Sequence, residues 1–227
     1  MAAPALLARR TTCWSYLGRV PYAEGEALQR AAREGVKRGE GAERFFLLEH
    51  PNVYTLGRNA TAADVLASPD WLAAHGFEVV ECDRGGQVTY HGPGQLVGYP
   101  VVNLSPDRRD IRRYVQDLQE VLIRTLADYG VPAERREGQD FVGIWTGGAK
   151  IASIGVHLSR WITTHGFALN VTTDLGLFAG IIPCGLQQVR MTSIAAETGR
   201  TPTLPEVAAR AAAHFGAVFG REMVLAP

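Results

Sequence analysis

FVGIWTGGAKIASIGVHLSRWITTHGFALNV, residues 141–171, holds three runs rich in β-branched and aromatic residues, parted by Gly147–Gly148 and by Arg160–Trp161. Two-residue connections between such runs are a hairpin signature, so the stretch is predicted to form a three-stranded antiparallel meander. A meander in mid-chain breaks the regular strand–helix alternation of a parallel sheet. The reading is an α+β fold, with helices packed on the sheet.

The flanking sequence fits that reading. Upstream, Ile111, Tyr114, Val115, Leu118, Val121, Leu122, Leu126 and Tyr129 follow the three-to-four spacing of one buried helical face over 110–129. Gly130 and Pro132 end that helix. Further helices are predicted over 22–39, 69–76 and 204–220, the second with proline in its first turn and glycine past its end. Strands are predicted over 11–18, 45–50, 53–57, 77–82 and 96–104. No repeat, low-complexity segment or linker interrupts the chain, so residues 1–227 are read as one domain.

The strand over 77–82 runs straight into RGGQVTYHGPGQLVGYP, residues 84–100, with five glycines and two prolines. Glycine weakens strands and helices, so this density calls for tight turns or for a ligand lying close to the main chain. Arg84, Gln87, Tyr90 and His91 are the larger polar side chains left standing in it.

Composition is that of an ordinary globular protein, 46% hydrophobic and 20% charged, with zero formal net charge. The charge balance gives no reason to expect a nucleic acid or a membrane surface as partner. No stretch approaches the roughly 18 apolar residues of a membrane span. The opening MAAPALLARR puts its arginines after a short apolar run, the reverse of a secretory signal. Cys13, Cys82 and Cys184 form no CxxC pair, which points to neither a disulfide framework nor a thiolate metal site. A cytoplasmic location is expected.

Cys13 and Cys82 fall in strand runs, where cysteine is usually a small core residue. Cys184 sits between proline and glycine in GIIPCGLQQ, where the chain turns, and local sequence leaves a catalytic and a structural role equally open. Lys150 follows the two-glycine turn, ordinarily the place of a solvated lysine. Yet 21 of the 23 basic residues are arginine, and only Lys37 and Lys150 are lysine. Lysine can give up its proton when desolvated and arginine cannot, so its retention here suggests that the proton matters. His91, His157 and His165 lie in glycine-bearing stretches without metal-ligand spacing, and taken singly each reads as a hydrogen-bonded structural histidine. His50, His75 and His214 are read as structural, and RRDIRR (108–113) as a solvated helix start.

RGGQVTYHGPGQLVGYPVVNL, GGAKIASIGVHLSRWITTHGFALNV and GIIPCG, in that order and spacing, resemble the octanoyl-[acyl-carrier-protein]–protein transferases of lipoate synthesis, over about residues 45–195. The resemblance implies a biotin/lipoate protein ligase-like catalytic domain, related to the class II aminoacyl-tRNA synthetase and biotin synthetase fold, with a mixed, largely antiparallel sheet and flanking helices. It implies transfer of octanoyl from the phosphopantetheine of acyl carrier protein to an enzyme cysteine, then to a lysine of an apo-lipoyl domain. Such domains belong to the E2 subunits of 2-oxoacid dehydrogenases and to the glycine cleavage H protein. Cys184 matches the acyl-carrying cysteine and Lys150 the lysine that tunes it. Arg84, Gly85, Gly86, Gln87, Val88, Thr89, Tyr90 and His91 match the substrate-binding loop, joined by Ser153, Ile154, Gly155, Gly166, Phe167 and Ala168. No metal and no further cofactor is implied. On this reading the glycines of 85–98 keep the floor of an acyl channel low, and Arg84, Gln87, Tyr90 and His91 frame it.

Other readings predict different behaviour. An ATP-dependent lipoate or biotin ligase would use free acid and ATP, and an amidotransferase would draw octanoyl from another lipoyl domain. A non-catalytic carrier-binding module would form no adduct on Cys184, and a cysteine thioesterase would release free octanoate.

Overall fold

The computed structural model describes residues 10–136, 138, 142–182 and 189–226. Its elements run β1 (Arg10–Arg19), α1 (Tyr22–Arg38), β2 (Glu43–Glu49), β3 (Val53–Leu56), α2 (Pro69–Ala74), β4 (Glu78–Glu81), β5 (Val88–His91), β6 (Gln95–Val101) and α3 (Ile111–Ala127). They continue with β7 (Gly143–Thr146), β8 (Ala149–Ser159), β9 (Ile162–Asn170), α4 (Ile194–Thr198), α5 (Leu204–Phe219) and β10 (Arg221–Leu225).

A seven-stranded sheet in the order β10-β1-β2-β6-β9-β8-β7 carries a three-stranded one, β4-β3-β5, beside it. β7, β8 and β9 form the expected antiparallel meander. β1 pairs parallel with both neighbours, and the other pairings of the large sheet are antiparallel. The fold is therefore α+β with a mixed, largely antiparallel sheet, as the sequence predicts. Among the described residues no helix is long and apolar enough to cross a membrane.

Local chemistry sets the helix ends. Asp110 caps α3 by accepting from the Arg112 and Arg113 N–H groups at 2.8 and 3.1 Å, and α5 opens on a Thr203/Glu206 capping box. Tyr114, Leu118, Val121, Leu122 and Leu126 of α3 join Val207, Ala211, Phe215 and Phe219 of α5 over one face of the large sheet. Ile111 departs from its expected place: it lies in the first turn and stays exposed. Arg108, expected in solvent, pairs with Asp117, donates to the Val218 carbonyl at 2.7 Å and covers the Phe219 ring.

The opposite face, where α1 sits, holds a smaller cluster of Val20, Leu48, Val97, Tyr99 and Ala168. α1 turns Tyr22, Gly25 and Gln29 inward, and a side chain at Gly25 would press on the His50 ring. A third cluster, Tyr54, Phe77, Val88, Tyr90, Phe178 and Ile181, fills the back of the small sheet.

β6 crosses β9 so closely that a methyl group at Gly98 would overlap the Phe167 ring. Gly98→Ala should cost about 1–3 kcal/mol of stability, the usual range for overpacking a core. Urea denaturation measures this, and an unchanged midpoint would mean that the Phe167 ring has room to retreat.

Candidate active site

In an antiparallel pair, facing residues share a side of the sheet. Ser153 faces Ala168 and Gly155 faces Gly166 across β8 and β9, so at these two pairs the α1 side of the strands carries only small side chains. Over this floor lies a cavity of about 130 Å³.

The loop after β4 forms one wall. Gly85 N–H donates to the Val156 carbonyl at 3.0 Å, and Arg58 and Asn59 N–H groups hold the Arg84 and Gly86 carbonyls. Arg84 is buried, its guanidinium donating to the carbonyl and the hydroxyl of Thr55 at 2.7 and 2.8 Å. In β5, Thr89 and His91 turn toward the cavity while Val88 and Tyr90 pack in the cluster behind the small sheet. Val88 still reaches the cavity edge.

Of the residues expected to bind substrate, Arg84, Gly86, Gln87, Val88, Thr89, His91, Ser153, Ile154, Gly155, Gly166, Phe167 and Ala168 line this cavity. Gly85 and Tyr90 do not. Gly85 fastens the loop to β8, and the Tyr90 hydroxyl donates to Asn52 on the far side of β5. The glycines need a corresponding correction. Gly86 alone of the five lines the cavity, and its φ of 88° is one that glycine adopts freely. Gly92, Gly94 and Gly98 instead clear room for the Tyr90 hydroxyl, Thr172 and the Phe167 ring. Most of the glycine density admits the protein's own side chains.

Lys150, at the start of β8, also lines the cavity and is 2% exposed. Its Nζ donates to the Val142 carbonyl at 3.0 Å and lies 5.7 Å from the Trp145 ring centroid. The expected solvated alternative is therefore excluded by burial. Its peptide N–H donates to the Arg190 carbonyl, and its carbonyl accepts from Thr192 N–H. Cys184 lies outside the described residues. Cys13 and Cys82 were expected in the core but are half-buried, with the Cys82 thiol donating to the Leu56 carbonyl at 3.3 Å.

The cavity also uses residues the sequence reading did not single out: Tyr22, Asn59, Tyr99 and Val142. His165, weighed there as structural, belongs to the wall as well. Tyr22 and Tyr99 come from helix and strand positions that look like ordinary core, so no local signal marks them.

A chain of buried hydrogen bonds fixes the polar side. Asn170 donates to the Thr192 carbonyl, which leaves its oxygen to accept from Gln95. Gln95 also donates to the Tyr90 carbonyl, so its own oxygen must accept from Nδ1 of His91, 2.8 Å away. His91 is thereby held as the tautomer with Nε2 unprotonated. Burial pushes its pKa well below the ordinary value, with the neighbouring His50 and Arg84 adding to the shift. His50 is likewise neutral. Its Nδ1 donates to the Val20 carbonyl at 2.6 Å and its Nε2 accepts from the Tyr99 hydroxyl at 2.8 Å.

Burial lowers the His50 pKa from 6.5 to about 4. The folded state thus resists a proton that the unfolded chain accepts, so this contribution is complete above about pH 6.5 and is lost as pH falls through about 4. Between pH 7 and pH 5 His50 alone should remove about 2 kcal/mol of stability. Denaturant titrations at both pH values test this; a His50→Gln variant with the same acid loss would assign the effect elsewhere.

Among the described residues no group of three or more His, Cys, Asp or Glu is placed to hold a metal ion. The cavity combines a small-residue floor with the buried Lys150 side chain and the neutral, hydrogen-bonded imidazole of His91 on its walls.

Residues 21–216 match the lipoyl protein ligase A/B catalytic domain family. The sequence is 47% identical to an octanoyltransferase of Solibacter usitatus, over 95% of this chain and 96% of that one. It is 48% identical to an octanoyltransferase of Chloroflexus aurantiacus, over 94% and 96% of the two chains. In fold it is similar to a lipoate-protein ligase A bound with ATP, with a TM-score of 0.76, 18% identity and coverage of 95% and 87%. It is also similar to part of a lipoylation system of Thermoplasma acidophilum, a bipartite lipoate protein ligase with its E2 lipoyl domain, at a TM-score of 0.75 and 16% identity over 96% and 87% of the chains.

Proposed function

The chain belongs to the octanoyltransferases of the lipoyl protein ligase A/B catalytic family, and we propose that it moves octanoyl from acyl carrier protein to a lysine of an apo-lipoyl domain through a thioester on Cys184. It is an acyltransferase of protein lipoylation. The finer reading takes residues 1–227 as one catalytic domain working in the cytoplasm, with lipoyl domains of 2-oxoacid dehydrogenase E2 subunits and the glycine cleavage H protein as acceptors.

The observation that carries the reading is Lys150. It is a buried amine on the wall of the small-residue cavity, its peptide paired with Arg190 and Thr192, shortly after Cys184 in the chain. In the first half-reaction neutral Lys150 takes the thiol proton as the Cys184 sulfur attacks the octanoyl carbonyl. The phosphopantetheine sulfur then leaves and takes that proton. In the second, the acceptor amine attacks the Cys184 thioester and loses a proton to Lys150, while the cysteine sulfur leaves and is reprotonated. Each step exchanges one acyl bond for another, and the relay avoids holding both large substrates in one site. The acyl group arrives activated as a thioester, so neither metal nor ATP enters.

The donor decides between this reading and a ligase. An apo-lipoyl domain should be acylated from octanoyl-acyl carrier protein without ATP. Acylation only from free octanoate with ATP would establish a ligase instead.

A further inference from the structure

Regular alternation along β9 should send His165, next to Gly166, to the side of the sheet opposite the floor. It does not go there. His165 has a φ of 56°, a left-handed conformation uncommon for any residue but glycine, and it lines the cavity on the same side as the small-residue floor. Three contacts hold it there. Its Nε2 is 2.6 Å from Asp83, its peptide N–H donates to Gln29 at 2.6 Å, and its ring meets the Tyr99 ring edge-on at 6.2 Å. The ring is buried.

Behind it lies a second cavity of about 90 Å³, bounded by Glu26, Gln29, Arg33, Asp83 and Thr164. His165 is the one residue common to both linings among the described residues. In the second cavity's wall the Gln29 amide nitrogen and the Thr164 hydroxyl are buried without a hydrogen-bond partner.

We propose that His165 is the end stop of the acyl cavity and sets its chain-length limit; this rests on the reading that Lys150 marks the thioester end. Three strand steps from the Ser153–Ala168 pair to the Val156–His165 pair span about 10 Å. Seven carbon–carbon bonds of about 1.5 Å, zigzagged, give an octanoyl chain a length of roughly 9 Å. A longer chain would have to displace the imidazole from Asp83. Its added methylenes would then meet unpaired polar groups and the Arg33 and Asp83 charges, where apolar groups gain nothing and polar ones lose water. The stop is steric and chemical at once. The left-handed backbone is the strain accepted to set a ring across the channel.

The test is the kcat/KM for enzyme acylation from octanoyl-, decanoyl- and dodecanoyl-acyl carrier protein, for the full chain and for His165→Gly. Glycine takes the left-handed φ without strain and removes the ring. Wild type should reject decanoyl by at least about tenfold, within the range that added methylenes produce in a fitted pocket. In His165→Gly the decanoyl-to-octanoyl ratio should rise at least about tenfold. His165→Asn, which tolerates the same backbone, should lie between them, and carries the measurement if the glycine variant does not fold. Equal losses for every chain length, with the ratio unchanged, would make His165 a structural residue and overturn the proposal. A wild type that accepts no acyl group from any carrier would defeat the transferase reading, and the end stop with it.

Discussion

Cys184→Ala should abolish both the octanoyl adduct and turnover, a loss of about a million-fold on the scale seen when a covalent nucleophile is removed. An acyl relay needs a thiol that both attacks and leaves, and alanine supplies none. Cys13→Ala and Cys82→Ala should keep adduct and turnover. Cys13 lies in β1, between β2 and β10, and lines no part of the cavity. Cys82 is the sharper control, since its thiol is half-buried beside Leu56 and close to Tyr22, itself a cavity residue. An adduct mapped to Cys82, or full turnover in Cys184→Ala, would move the nucleophile away from Cys184.

Lys150→Arg should slow both half-reactions at least about a hundredfold, the lower end of what general acid–base groups contribute. Arginine keeps its charge and cannot return a proton. The structure adds a second cause. Lys150 is enclosed, and a side chain on neighbouring Gly143 would already press on its stem, so a broad guanidinium has little room. The two causes separate in Lys150→Ala. A small primary amine in solution should restore part of the single-turnover rate, whereas methylguanidine should restore none. Rescue by both would show that positive charge suffices. Near-normal rates for Lys150→Arg would demote Lys150 to an electrostatic neighbour. In the unsubstituted protein the pH dependence reports the Cys184–Lys150 pair as a unit and not one residue.

The meander, α3 and α5 were legible because each has a clean period and distinct stops. β5 was hidden inside the glycine-rich stretch, where VTYH is too short to stand out between two turns. α4 and β10, five residues each, lack the length for a period to show. The binding loop was legible as a motif, but motif membership does not tell which way a side chain points. Tyr90 belongs to the motif and faces the opposite side of β5 from His91, because alternation along a strand sends neighbours to opposite faces. The glycines misled in the other direction. A glycine that receives the Phe167 ring and one that receives a ligand look alike in sequence. His165 breaks alternation through a backbone angle that no residue type near it announces.

Intact-mass measurement of the protein after octanoyl-acyl carrier protein, and again after an apo-lipoyl domain is added, tests the account most directly. The account predicts a gain of one octanoyl group, mapped to Cys184 and released by hydroxylamine, then its loss as the lipoyl domain gains the same mass on one lysine. A lipoyl domain acylated with no adduct ever forming on Cys184, or an adduct that the lipoyl domain cannot discharge, would contradict it.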